Sequence, residues 1–90
     1  MNIYLVERTD GVGYDEFDSF VVIAKTEEGA KNTHPYYKEE EDNKEEAWYW
    51  KNYNSWIKKD DLNRLTVTLV GKATKEYKVR KVICASFNAG

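Results

Sequence analysis

The residues that could do chemistry in this chain are few and scattered. Asp15, Glu16 and Asp18 surround Phe17, and three carboxylates beside a ring could hold a cation or pair as general acid and base. Their spacing matches no calcium loop, so they read as a solvated loop entering a strand, with Asp18 protecting or ending its ladder. Cys84, the single cysteine, sits inside the apolar run Val82-Ile83-Cys84-Ala85-Ser86-Phe87. No neighbour in sequence would lower its pKa, so it is expected to be a small buried hydrophobe rather than a nucleophile. His34, the single histidine, precedes Pro35 at an expected helix end, a place for capping or packing. Gly11-x-Gly13 lacks the third glycine of a dinucleotide fingerprint and reads as a turn. Nucleophilic, metal-assisted and phosphate-cradling chemistries all lack their parts, so neither an enzyme nor a cofactor is expected.

Two stretches have the composition of binding surfaces. Residues 36–59 hold seven of the thirteen aromatic residues behind a mostly acidic block. In one reading Tyr49, Tyr53, Trp56 and Ile57, at i, i+4, i+7 and i+8, form a helix face laid on a sheet, with the helix spanning 43–54. That stripe leaves out Tyr36, Tyr37, Trp48 and Trp50, and large aromatics edged by charge are what interface anchors are made of. The run Glu39, Glu40, Glu41 and Asp42 is either a solvated loop or a phosphate-like acidic ridge suited to a nucleic-acid groove on another protein. The second stretch is basic: Lys72, Lys75, Lys78, Arg80 and Lys81, read as a hairpin that could touch phosphate. Tyr77 is its only stacking residue and Glu76 interrupts its charge, so nucleic acid is the secondary reading.

Charge follows the same division. Residues 1–50 carry 13 acids and 5 bases, and residues 51–90 carry 3 acids and 9 bases, giving −8 and +6 around an overall charge of −2. Opposed faces of this kind would steer a partner or let copies associate head to tail. One domain of 90 residues is expected, with 36–59 as an insertion or elaboration. No apolar run approaches a membrane span and no cleavable signal pattern is visible, so a cytoplasmic protein without membrane contact is expected, as one cysteine also suggests.

The elements that must position these residues are legible from patterning. Phe20-Val21-Val22-Ile23-Ala24 is β-branched and apolar on both faces, the mark of an interior strand. Thr26 then fits a helix N-cap with Glu27 and Glu28 at the positive end of the dipole, and Ala30 is the expected contact with the sheet. Pro35 ends this helix near Asn32 or Thr33. Ile3-Tyr4-Leu5-Val6 forms a first strand, joined by the glycine turn to the second in an antiparallel pair. Asp60-Asp61-Leu62-Asn63 makes a turn into a third strand, where Leu65, Val67 and Leu69 alternate with Thr66 and Thr68. The run 82–87 is apolar on both faces and reads as a second interior strand. The expected fold is α+β, ordered β-β-α-(α)-β-β, with a four-stranded mainly antiparallel sheet, one or two helices on one face, and strands 20–25 and 82–87 at the centre.

Several pieces together resemble a group of small bacteriophage and prophage proteins of uncharacterised function: Tyr14-Asp15-x-Phe17-Asp18-Ser19-Phe20-Val21-Val22, the helix closing in His34-Pro35, the LTVTLVG strand, and the terminal Ala85-Ser86-Phe87-Asn88-Ala89-Gly90. The resemblance covers both ends and not residues 36–50, and it brings no catalytic residues. It implies a phage context in a bacterial cytoplasm, where small acidic proteins bind and modulate host or defence machinery. The functional expectation is therefore a non-enzymatic protein that engages a host or anti-phage-defence protein through Tyr36, Tyr37, Glu39, Glu40, Glu41, Asp42, Trp48 and Trp50. A nucleic-acid accessory using 72–81 and a self-associating structural protein are the other expectations.

Overall fold

A computed structural model describes residues 1–11, 16–38, 43–53, 55–74 and 80–88, without the side chains of 43–45 and 88. The elements in order are β1 (Asn2–Arg8), β2 (Glu16–Ala24), α1 (Glu27–Lys31), α2 (Asn43–Asn52), a short 3-10 segment (Lys59–Arg64), β3 (Leu65–Lys72) and β4 (Lys81–Asn88). All four strands join one antiparallel sheet in the order β3-β1-β2-β4. The fold is α+β, as patterning predicts. Among the described residues no helix is long and apolar enough to cross a membrane.

Alternation in β1 and β2 decides the core. Tyr4 and Val6 pair with Val22 and Phe20 on one face, and all four are buried together with Ala24. Ala30 of α1 and then Trp56, Ile57 and Leu65 close over them. Trp56 meets Phe20 edge to face at 5.3 Å, while the Phe17 N–H donates to the Ser55 carbonyl at 2.7 Å and draws 55–57 onto the start of β2. The α1 cap is local chemistry: the Gly29 N–H donates to Thr26 Oγ1 at 3.0 Å, and the helix ends at Asn32.

Four expectations change. Strand 82–87 is not central; β1 is, because β1 gives one edge to β2 and the other to β3, and β2 has only its outer edge left for β4. Cys84 is therefore exposed, as are all of residues 83–87, although their composition is that of an interior strand. The basic stretch 72–81 does not join a hairpin, since the strands on either side of it, β3 and β4, lie at opposite edges of the sheet. Finally, β3 alternates in burial only to Thr68: Leu69 still pairs with Tyr4 but lies on an edge strand and is 54% exposed, and the register slips just beyond it, between Ile3 and Tyr4 of β1. Asp18, at the slip between β2 and β4, accepts from the Ser19 hydroxyl at 2.9 Å; residues 12–15, with Asp15, lie outside the described residues.

Candidate protein-binding surface

A buried polar knot holds α2 to the sheet. After α1 the chain turns through Thr33 and His34, both buried, and the His34 N–H donates to Glu46 Oε2 of α2 at 3.2 Å. Arg80, just before β4, donates to Glu46 Oε1 at 2.7 Å and to Thr33 Oγ1 at 2.8 Å. Its guanidinium lies 4.6 Å from the centre of the Tyr37 ring. One carboxylate thus ties the end of α1, the first turns of α2 and the start of β4.

His34 sits at the inner end of an aromatic ladder. Its Nδ1 accepts the Tyr36 N–H at 3.1 Å, which assigns the ring proton to Nε2, an atom with no hydrogen-bond partner among the described residues. Tyr36 stacks on the imidazole at 5.6 Å and Trp50 meets it edge-on at 5.1 Å. Burial lowers the His34 pKa from 6.5 to about 4, so the ring is neutral at physiological pH. Sealed from solvent, it packs and accepts a bond rather than moving protons. Outward from it, Tyr36 lies 4.7 Å from Tyr53, and Tyr49 stacks on Tyr53 at 5.6 Å. Trp48 meets Tyr53 at right angles, 5.2 Å away, and ends the ladder in solvent. Trp48 is 50% exposed and Tyr53 40%. The exposed rings of this ladder are thus braced from behind by buried ones.

Beside Tyr53 a cleft of about 650 Å³ is lined by Trp50, Trp56, Arg8, Asp10, Glu16 and Lys58 among others. Its charge is internally balanced. Arg8 donates through Nε and Nη2 to both Asp10 oxygens at 2.8 Å and through Nη1 to Glu16 at 3.2 Å. The bonds to Asp10 raise the Arg8 pKa, and Arg8 holds the Asp10 carboxyl below its usual value. Lys59 lies 5.1 Å from the Trp50 ring. Among the described residues no group of His, Cys, Asp and Glu converges as a metal site would need.

The anchors expected from sequence are thus divided by the fold. Trp48 is exposed; Tyr37 is buried under Arg80; Tyr36 and Trp50 pack against the core. Glu39, Glu40, Glu41 and Asp42 lie outside the described residues. The 43–54 helix ends at Asn52, so Trp56 and Ile57 reach the core from the segment after it while Tyr53 stays outside. Spacing places Tyr53 on the same stripe as the buried Tyr49, yet Tyr53 is 40% exposed although its N–H still donates to the Tyr49 carbonyl at 3.0 Å. Of the basic set, Arg80 is committed to Glu46, Lys72 and Lys81 end and begin edge strands on opposite sides of the sheet, and Lys75 and Lys78 lie outside the described residues. No protein-family model matches the chain, and neither curated proteins nor solved structures give a significant match to it.

Proposed function

We propose that this chain is a non-enzymatic binding protein that engages a host or anti-phage-defence protein through the outer end of the aromatic ladder, Trp48 and Tyr53, with the acidic run 39–42 steering the approach. The observation that carries this reading is a pair of large rings, 50% and 40% exposed at the surface, that meet edge to face and are both backed by the buried Tyr49. Tryptophan and tyrosine held rigidly at a surface are the residues that dominate binding energy at interfaces. Acidic residues alongside them add speed of encounter and selectivity more than affinity. The mechanism is occlusion of the partner's working surface. The phage setting rests on the sequence resemblance at the two ends of the chain. A phosphate-binding role for 72–81 is disfavoured by Arg80, which spends its donors on Glu46 and Thr33.

The test is affinity capture of the tagged chain from bacterial lysate beside two variants: Trp48→Ala with Tyr53→Ala, and Glu39, Glu40 and Glu41 changed to glutamine. The expected result is a protein held by the wild type, lost by the aromatic variant with its melting curve preserved, and captured more slowly by the glutamine variant. Equal capture by all three, or capture of nucleic acid alone with a steep salt dependence, overturns the reading.

A further inference from the structure

We propose that the cleft beside Tyr53 docks a proline-rich segment of the partner protein, held extended as a polyproline II helix. This deepens the protein-binding reading, on which it rests for the source of the segment. The observation is a pair of donors without acceptors. Trp50 and Trp56 both line the cleft, and the buried Nε1–H of each has no hydrogen-bond partner among the described residues. Buried polar groups are ordinarily paired, so two orphan donors on one cleft mark a place where acceptors are missing. The carboxylates of Asp10 and Glu16, in the same lining, do not supply them, because both bind Arg8.

The occupant follows from the lining. Its charges cancel, Arg8, Lys51 and Lys58 against Asp10, Glu16 and Asp61, which favours a neutral occupant over an ionic one. Its apolar surface is mostly aromatic: Trp56 and Ile57 are buried at its back, and Tyr53 stands 40% exposed beside them. Its orphan groups only donate. Proline is the complement on each count, being uncharged, offering an apolar ring to aromatic faces, and carrying a carbonyl but no N–H. In polyproline II the backbone makes no internal hydrogen bonds, so its carbonyls are open to the indoles, and its fixed φ leaves little entropy to lose on docking. The cleft volume, about 650 Å³, is that of a formed ligand site. In the free chain neither N–H reaches solvent, so docking includes a turn of the indoles towards the incoming carbonyls. The turn is favoured because an unpaired buried donor is costly.

Titration of the isotope-labelled full chain with a blocked oligoproline peptide tests it, read by NMR at the indole N–H signals. The Trp50 and Trp56 signals should move downfield as each donor gains an acceptor, while that of Trp48, which is not in the lining, stays in place. Binding should hold between low and high salt, as a neutral occupant requires. Trp50→Phe keeps a ring and drops the N–H, and should weaken binding about tenfold, the worth of about one hydrogen bond. Because Trp50 meets His34 at 5.1 Å and its replacement can loosen the fold, the shifts are read first in the wild type. Trp48→Ala should bind the peptide as the wild type does. Oligoproline binding together with undiminished capture of the partner by Trp48→Ala would support this site and overturn the anchor role of Trp48; capture lost in Trp48→Ala with no oligoproline binding would overturn this site alone. Also against it would be no shift of Trp50 and Trp56 up to millimolar peptide, an equal response to a blocked glycine–serine peptide, or salt-sensitive binding of oligoglutamate in place of oligoproline. Undiminished binding by a folded Trp50→Phe chain would overturn it as well.

Discussion

His34 is where one residue does most to connect stability with solution conditions. Burial holds its ring neutral, with a pKa lowered from 6.5 to about 4. Between those values the unfolded chain binds a proton that the folded chain refuses. Stability is therefore complete above pH 6.5, falls as the pH drops towards 4, and loses no more from this residue below that. The full loss is on the order of 3 kcal/mol. Asp10 adds a separate loss at lower pH, because Arg8 holds its carboxyl below 3.8. His34→Asn keeps an acceptor near Nδ1 for the Tyr36 N–H and cannot titrate in this range. Urea unfolding at a series of pH values should show the slope between pH 6.5 and 4 in the wild type and its absence in His34→Asn; the same slope in both would assign it to another group.

At the scale of elements, α2 is tied to the rest of the molecule through Glu46 as well as through the rings of Tyr49 and Trp50. That carboxylate is 11% exposed and faces Arg80, itself 24% exposed. Arg80→Met leaves a mostly buried charge with only the His34 N–H, at a cost of about 2–3 kcal/mol. Adding Glu46→Gln should return part of this, and a double-mutant cycle by urea unfolding is expected to give a coupling of about 1 kcal/mol or more. Additive effects would mean that α2 is positioned by its aromatic packing alone. For α1, Thr26→Ala removes the acceptor for the Gly29 N–H and should lower stability by about 1 kcal/mol.

Over the whole molecule, the core cluster gathers on one face of the sheet, while Trp48 and Tyr53 stand exposed at its periphery. Phe20, 1% exposed beneath Trp56, should cost about 3–5 kcal/mol when changed to alanine. Trp48→Ala, at a half-exposed site, should stay within about 0.5 kcal/mol of the wild type in dilute urea unfolding while losing the captured partner. A large loss of stability in Trp48→Ala would make that ring a structural member of the ladder rather than an anchor. The sequence dipole of −8 and +6 does not survive as two clean halves, because Glu46 from the acidic half and Arg80 from the basic half meet in the interior.

Local physics was legible in the sequence. The Thr26 cap, the burial of Ala30 and the end of α1 at Asn32 all follow from groups within a few residues of one another. So does the pairing of β1 with β2, two strands that follow one another closely in the sequence. Strand order was not legible: two apolar strands look alike in sequence, and only the pairing of β3 with β1 put β4 at the edge and exposed Cys84. The candidate surface divides in the same way. Composition marked residues 36–59 as aromatic and charged, but a ring's exposure depends on what arrives from elsewhere. Arg80 covers Tyr37 from 43 positions away in the chain, while Tyr53, one turn on from the buried Tyr49, stays 40% exposed. Hydrogen bonds and caps act over a turn or a loop, whereas exposure is set by long-range packing, and long-range packing is what the tertiary structure alone decided.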